Sequence, residues 1–411
     1  MSARSSPRSW SHIRLGDLCL SPSGVQTGPF GSQLHQSDYR AVGTPIVTVG
    51  HLGDNRLLHT GLPRVSDGDR LRLARYALRE GDIVVSRVGS VDRRALVHQS
   101  EEGWLFSGRC LRIRPDRAKI NPEYLSWVLG APNVRDTLRR IAFGATMPSL
   151  NTKLLSDLSI LVPPMQYQEW AASIFRALDN KIDVNRRMAR VLDATVSTAY
   201  RRVADQTQSS IPLDSVAAVR GGSTPSTQSP ILWDPGIHSW ATPKDMTALL
   251  SPVLWKTGRR ISGAGLEMIS SGLLPEGTVL LSSRAPIGYV AIAAMPIAIN
   301  QGFIALVPKA QLSSEYLCCW VRANMAAIKA LANGTTFMEV SKQNFRTLRV
   351  ALPPDSLLAE FDSLARPAFQ LLLSIERQND RLGNLRDLLL PRLTSGDLAT
   401  PEVQRVTGSV V

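Results

Sequence analysis

The chain writes one sentence twice. "GATMPSLNTKLLSDLSILVPP", residues 144–164, and "GTTFMEVSKQNFRTLRVALPP", residues 334–354, align without a gap at a constant offset of 190. Gly144 meets Gly334, Thr146 meets Thr336, Leu158 meets Leu348, and Pro163-Pro164 meets Pro353-Pro354. At 411 residues the chain is too long for one ordinary core, and a repeat of this period calls for two equivalent globular blocks. Other phrases recur in the same order. Glu-Gly at 80–81 and 276–277 leads into an apolar run, and "INPEYLSWVL" and "LSSEYLCCWV" share Glu-Tyr-Leu at 123–125 and 315–317. Ser-Arg, at 86–87 and 283–284, ends a strand-like run in each block. The blocks, roughly 12–162 and 211–352, contain short β-like runs bounded by turn residues, such as "TPIVTVG" and "GFIALVP".

Each Pro-Pro opens a segment of helical periodicity. In the first, apolar residues fall at Tyr167, Ala171, Ile174, Leu178, Ile182, Met188, Leu192, Val196, Ala199 and Val203, in steps of three and four. The 39 residues from Met165 to Val203 include no Gly or Pro, so a continuous helix there is ~58 Å long. The second keeps near-heptad spacing through Phe361, Ala365, Ala368, Leu372, Ile375, Asn379, Leu382, Leu385 and Leu389, and stops at Pro391 and Gly396. Pro367 predicts a kink or a fresh start in that helix. Each stripe holds one Asn, Asn185 or Asn379, at a seam position where a polar residue fixes register. Solvent-facing Asn side chains are the alternative. Two such helices bury their stripes on each other or on a partner's helices.

Charge narrows the function. The net charge is +13, of which residues 1–205 carry +10 and residues 206–411 carry +3. Of the 47 basic residues only eight are Lys, a bias that a GC-rich genome explains, but the positive excess itself points to nucleic acid. The longest apolar run, Tyr289–Ile299, is far short of the ~20 residues a membrane helix needs, and "MSARSSPRSW" is followed by no hydrophobic stretch. A cytoplasmic protein without membrane partners is expected. Cys19, Cys110, Cys318 and Cys319 form no CxxC and read as buried reduced thiols.

Catalytic and cofactor motifs are missing. No GxGxxG opens a helix after a strand, no Walker lysine motif occurs, and the six His show no ligand spacing. "NPEY", 121–124, superficially resembles the Asn-Pro-Pro-Tyr loop of amino-methyltransferases, but its echo is "SSEY", so a helix start is the better reading. Asp67, Asp69 and Asp82 stand in loop-like text and read as solvated carboxylates. Gly/Ser/Thr/Gln loops beside basic residues are the remaining candidates. "TGPFGSQL" (27–34) offers Gly28, Gly31, Ser32 and Gln33, and "RGGSTPSTQ" (220–228) offers Ser223 and Thr224. Small residues let backbone approach a phosphate or base edge, and Ser, Thr and Gln supply hydrogen bonds. Arg87 and Arg284 are available for a groove, and Thr146 and Thr336 in the repeated loops for backbone phosphates.

These motifs, in this order and spacing, resemble the specificity subunit of type I restriction-modification systems over nearly the whole chain. "TGPFGSQL" is similar to the opening of a target-recognition domain, and "GGSTPST…W…WATPKDM" (221–246) to the opening of another type. "NQGFIAL" (300–306), which brings in Gln301, resembles a strand of such domains. "VPPMQYQEWAASIFRALDNKIDVNRRM" (162–188) resembles the central spacer and "LRDLLLPRLTSGDL" (385–398) the distal one, although the latter helix begins "PPDSLLAEF" without the family's Gln-rich start.

The resemblance implies an α+β fold: two globular target-recognition domains with mixed β-sheet and helices, separated by two long antiparallel coiled-coil helices. The expected boundaries are 1–162 for the first domain, 163–205 for the central helix, 206–352 for the second domain, 353–396 for the distal helix, and 397–411 for a loose tail. It implies a subunit without cofactor or catalysis of its own, each domain reading one half of a split double-stranded DNA target. Two modification subunits that methylate adenine, and restriction subunits that translocate and cut, are the implied partners. An interaction scaffold, or a specificity module of a related methyltransferase-nuclease system, is the alternative.

Overall fold

The computed structural model describes residues 10–142, 148–284, 286–333 and 338–398, without the Ser32 side chain. Two compact units emerge, Met1–Asp179 with Gly383–Val411, and Asn180–Leu382.

In chain order the first unit's strands are β1 (Ser11–Arg14), β2 (Val25–Thr27), β3 (Thr44–Val47), β4 (Asp54–Asn55) and β5 (Arg64–Val65). They continue as β6 (Ile83–Ser86), β7 (Arg94–Leu96), β8 (Leu105–Phe106), β9 (Cys110–Ile113) and β10 (Ser159–Val162). Five of them form a mixed sheet in the order β2-β9-β6-β7-β4, three form the sheet β5-β3-β8, and β1 pairs with β10. The central strands are apolar on both faces because both faces are covered. Ile83 and Val85 join a core with Tyr124 and Leu125 of the helix Pro122–Leu129, while Val84 faces Ile46 and Phe106 of the small sheet.

The second unit repeats this plan. Its strands are β11 (Ser210–Pro212), β12 (Ala217–Gly221), β13 (His238–Ala241), β14 (Val253–Leu254), β15 (Arg259–Ile261) and β16 (Val279–Ser282). There follow β17 (Val290–Ala293), β18 (Ala298–Ile299), β19 (Phe303–Pro308), β20 (Ala332–Asn333), β21 (Glu339–Val340) and β22 (Arg349–Ala351). The orders β12-β19-β16-β17-β14, β15-β13-β18 and β11-β22 match those of the first unit strand for strand, and β20-β21 is an added ribbon. Gly81 and Gly277 hold the same left-handed conformation, φ +87° in both, at the Glu-Gly turns, which explains why each turn is written with glycine. Asn121 and Ser313 cap the helices that carry Glu-Tyr-Leu by accepting from the Tyr124 and Tyr316 amides, and both tyrosines are fully buried. "NPEY" is thus a helix start.

Two helices of 41 residues, Met165–Asp205 and Asp355–Ser395, complete the units. In the first unit Phe175 stacks on Trp127 at 4.8 Å among Leu389, Leu390, Leu393 and Leu398, and the Tyr167 hydroxyl donates to the Leu393 and Leu398 carbonyls. Leu398 is 4% exposed, so the loose tail does not include it; residues 399–411 lie outside the described residues. In the second unit the helices run antiparallel, with Ala189, Val196, Tyr200 and Val203 buried in one core with Phe361, Ala365, Leu372 and Ile375. Asn185 is buried and donates to Asn379 at 2.8 Å and to Gln378 at 2.7 Å, so these asparagines face each other rather than solvent.

Two helical expectations change. Met188 is 41% exposed and Ala189 takes the seam: both are apolar, they stand three and four residues after Asn185, and packing against the other helix selects the second. The distal helix runs through Pro367 and Pro391 without interruption. An interior proline costs ~3 kcal/mol, and burial of Phe361, Ala365, Ala368 and Leu372 around Pro367 outweighs it.

Candidate nucleic-acid interface

In each unit four backbone segments meet at one corner: the loop after β2 or β12, the turn between β8 and β9 or β18 and β19, the end of β6 or β16, and the segment preceding the exit. In the first unit the Gly28 amide donates to the Cys110 carbonyl, Arg87 donates to the Arg109 carbonyl, and the Arg87 carbonyl accepts from Leu150. In the second, Ser223 donates to Ile299, Ser283 to Gly302, and the Ser283 carbonyl accepts from Val340. The register therefore makes Ser283 the counterpart of Arg87. Arg284, which bridges Glu339, is the counterpart of Val88, which bridges Ser149. The Ser-Arg echo is one residue out of register. Neighbouring residues of an extended strand face opposite sides, so the two arginines cannot play the same part. What does recur is Ser86 and Ser282, both buried, whose hydroxyls donate to the Ser90 and Pro286 carbonyls and shape the following hairpin.

The sequence candidates divide accordingly. Gly28 has no room for a side chain because the Ser107 carbonyl occupies that space, and Gly222 stands in the same way against the Ile299 carbonyl. These glycines serve strand packing. Gly31 is exposed at φ +61° with open space where a Cβ would be. Gln33 is held: its side-chain carbonyl accepts from the Tyr76 hydroxyl at 2.6 Å and from Arg75 at 3.2 Å. Arg87 is half-buried, donates to the Gly108 carbonyl at 3.2 Å and lies 6.0 Å from the Phe30 ring. Its Nε is buried with no partner among the described residues. In the second unit Thr224 and Gln301 are exposed and hydrogen-bonded to each other, joining the opening loop to the β18–β19 turn. Ser223 donates to the Met268 carbonyl at 3.2 Å, and Arg284 is paired with Glu339 at 3.0 Å. Thr146 and Thr336 lie outside the described residues, as does the Ser32 side chain.

Sequence reading passed over several residues at these corners. Phe30 is 61% exposed, an unusual setting for a large apolar ring, and Arg109, next in sequence to the Gly108 that packs against Phe30, is exposed. In the second unit the indoles of Trp233 and Trp240 donate to the Ser226 and Ser223 carbonyls at 2.9 and 3.3 Å, fixing the opening loop. The quoted "W…WATPKDM" contained both tryptophans, but nothing in their spacing says that they hold up the loop.

The acidic groups are structural. Asp82 is buried rather than solvated, and accepts two hydrogen bonds from Arg114 at 2.7 Å each and one from the Arg79 amide. Asp69 pairs with Arg72, which holds its carboxyl below the ordinary carboxylate range, and Asp67 is exposed. Burial pushes the thiols of Cys19, Cys110 and Cys319 up to about 12, and that of Cys318 well above its ordinary value, so none is a nucleophile at neutral pH. Among the described residues no group of His, Cys, Asp and Glu could hold a metal ion, and no helix is long and apolar enough to cross a membrane.

Comparison with known proteins identifies the family of the chain. The family model of the type I restriction modification DNA specificity domain matches twice, at residues 7–192 and 208–356, one match for each copy of the plan. The chain belongs to this family. The specificity subunit of the HindI type I restriction enzyme of Haemophilus influenzae is 22% identical over 95% of this chain and 99% of its own length. That of the MjaIX enzyme of Methanocaldococcus jannaschii is 35% identical over 158 residues, 36% of either chain. The crystal structure of a type I restriction-modification S subunit from M. genitalium superposes with a TM-score of 0.60 at 12% identity, covering 94% of this chain and 96% of that one, and so shares the fold. This chain is thus a DNA-specificity subunit of a type I restriction-modification system, and catalysis in that system lies in other subunits.

Proposed function

We propose that each specificity domain presents its corner to one half of a split double-stranded DNA target, and that modification subunits, two per chain, dock on the long helices. The observation that carries this reading is that one strand order occurs twice and gathers the same four backbone segments each time. Around one frame the side chains differ: exposed Phe30 and Arg109 with half-buried Arg87 in the first unit, exposed Thr224, Gln301 and Arg284 in the second. A shared frame with different exposed groups fits two readers of two different half-sites. Docking on the helices is supported by solvent-facing apolar side chains outside the seam, Val184, Met188 and Val191 on one helix and Leu364 and Leu371 on the other. Restriction subunits complete the proposed assembly, whose place is the cytoplasm.

Replacing residues 12–160 by the first domain of another family member tests the division of labour. Methylation sequencing of a host carrying the hybrid and its partner subunits should show one half of the motif changed. Change in both halves, or in neither, refutes it. Titration with duplex DNA at several salt concentrations tests the interface, because phosphate contacts give a steep fall of affinity with salt. An interaction scaffold shows no such slope.

A further inference from the structure

Arg259, in β15 of the second unit, is exposed, and its guanidinium lies 3.6 Å from the centroid of Trp233 and 5.3 Å from that of Trp240. The two indoles are themselves in edge-to-face contact at 5.0 Å and are tied to the opening loop through Ser226 and Ser223. Among the described residues nothing accepts a hydrogen bond from this guanidinium and no carboxylate pairs with it. Its neighbour is different. Arg260 donates to the Ile237 carbonyl at 2.6 Å, as its counterpart Arg64 donates to the Gly43 carbonyl at 2.8 Å. Those arginines brace the small sheet in both units. The register of β15 on β13, and of β5 on β3, puts Pro63 where Arg259 stands, so Arg259 belongs to the second copy alone.

We infer that Arg259 is the guanine-reading side chain of the second specificity domain, with Trp233 and Trp240 as its positioning residues. This inference rests on the function proposed above. Three facts point to a base edge rather than a structural role or a phosphate. The guanidinium carbon sits 3.6 Å from the Trp233 ring centroid, so the indole restrains the fork before binding and less rotamer entropy is left to lose. Its five N–H donors are unused. It stands beside the opening loop that the resemblance marks as the start of recognition, whereas Arg284 is already paired with Glu339. Two parallel donors at fixed spacing match the O6 and N7 acceptors of guanine in the major groove. A phosphate contact needs charge but no fixed plane.

The test compares R259K, R259A and W233L with the unaltered subunit, each assembled with its modification subunits. The readouts are the methylated motif in the host and binding of a duplex carrying that motif. R259A should weaken binding ~5- to 150-fold, the range for one bidentate pair, and tolerate other bases at one guanine position of a single half-site. R259K, which keeps the charge but loses the fork, should show the same relaxed motif with a smaller loss. W233L should relax that same position, and W233F should restore it. If R259K keeps the full motif while R259A lowers affinity equally on all duplexes with a shallower salt slope, Arg259 is a phosphate contact and the inference is wrong. It is also wrong if R259A leaves motif and affinity unchanged, or if the affected half-site contains no guanine. Failure of the wider reading has a separate signature: the unaltered complex then methylates no split motif at all.

Discussion

The Asn185–Asn379 contact yields a sharp stability prediction because its two ends are unequal. Asn185 is 1% exposed and its amide donates to two acceptors, Gln378 at 2.7 Å and Asn379 at 2.8 Å. The Asn379 side-chain nitrogen is buried with no partner. Asn185→Leu removes both hydrogen bonds and strands the whole Asn379 amide in an apolar seam. That costs ~1–3 kcal/mol, partly offset by the added apolar burial, so the variant should be ~1 kcal/mol less stable. Asn379→Leu removes one hydrogen bond but also removes the orphan nitrogen, and Asn185 keeps Gln378. That change should lie within about 1 kcal/mol of neutral. The double variant leaves no buried amide. Gln378 is exposed and returns to water, so two facing leucines should make it the most stable of the four by ~1 kcal/mol. Urea unfolding followed by circular dichroism gives the cycle, with hydrogen exchange over residues 180–200 to assign the transition to the second unit. The expected coupling is ~1–3 kcal/mol. Equal losses in the two single variants that add up in the double would refute the pairing.

Three further expectations follow from buried groups. Cys19, Cys110, Cys318 and Cys319 should not react with a thiol reagent at pH 8 while folded, since burial holds three of them at about 12 and the fourth well up, and all four should react in urea. Glu376 is buried and accepts from the Leu250 and Ser251 amides and the Ser251 hydroxyl at 2.8–3.0 Å, so Glu376→Ala should destabilise the second unit by ~2–4 kcal/mol and deprotect those two amides in hydrogen exchange. Asp92 is pushed up by burial but more strongly down by Arg135 and Arg139, leaving its carboxyl below the usual range. Its stabilising contribution is present above the ordinary carboxylate pKa of ~4 and is lost as pH falls through the lower folded value. Asp92→Asn should flatten the acid limb of the stability curve, and an unchanged limb would sink the assignment.

The repeat made the architecture legible. Offsets in "EG", "EYL" and the exit sentence fall on equivalent turns, helix starts and ribbons, because each marks a constraint that sequence expresses directly: a positive φ, a capped helix, a fixed register. The fine register was less legible. Ser-Arg at 86–87 and 283–284 looked equivalent because a two-letter match cannot register a one-residue slip between blocks whose offset drifts from 190 in the exit segment to 196 at Ser86 and Ser282. Met188 against Ala189 failed for a similar reason: both are apolar, and only the partner helix selects between them. Pro367 was misread because local propensity was weighed without the burial around it. At the candidate interface, Phe30 and Arg259 were invisible because exposure of a ring, or an unused guanidinium, is a property of the fold and not of a motif.

Comparison of the two copies separates frame from reader more finely than either copy alone. Positions that agree in residue type or role across the repeat are those with a packing duty: Gly28 with Gly222, Ser86 with Ser282, Arg64 with Arg260, Tyr124 with Tyr316. At the corner the two copies disagree at four positions: Arg87 against Ser283, Val88 against Arg284, Pro63 against Arg259, Arg109 against Gly302. Each of these four sets an arginine in one copy against an uncharged residue in the other, serine, valine, proline or glycine. Moving a planar, five-donor group from one strand to its neighbour changes which base edge it can reach while leaving the sheet intact. Pro63→Arg would therefore carry the test into the first unit. It should fold, since β5 is short and Pro63 gives its carbonyl to the Ile46 amide, but it should not acquire guanine preference there, because Ile46 stands where the second unit has Trp240 and supplies no indole to fix the fork. A new guanine requirement in the first half-site of that variant, read by methylation sequencing, would show that the tryptophan platform is dispensable and that charge at this strand position is enough.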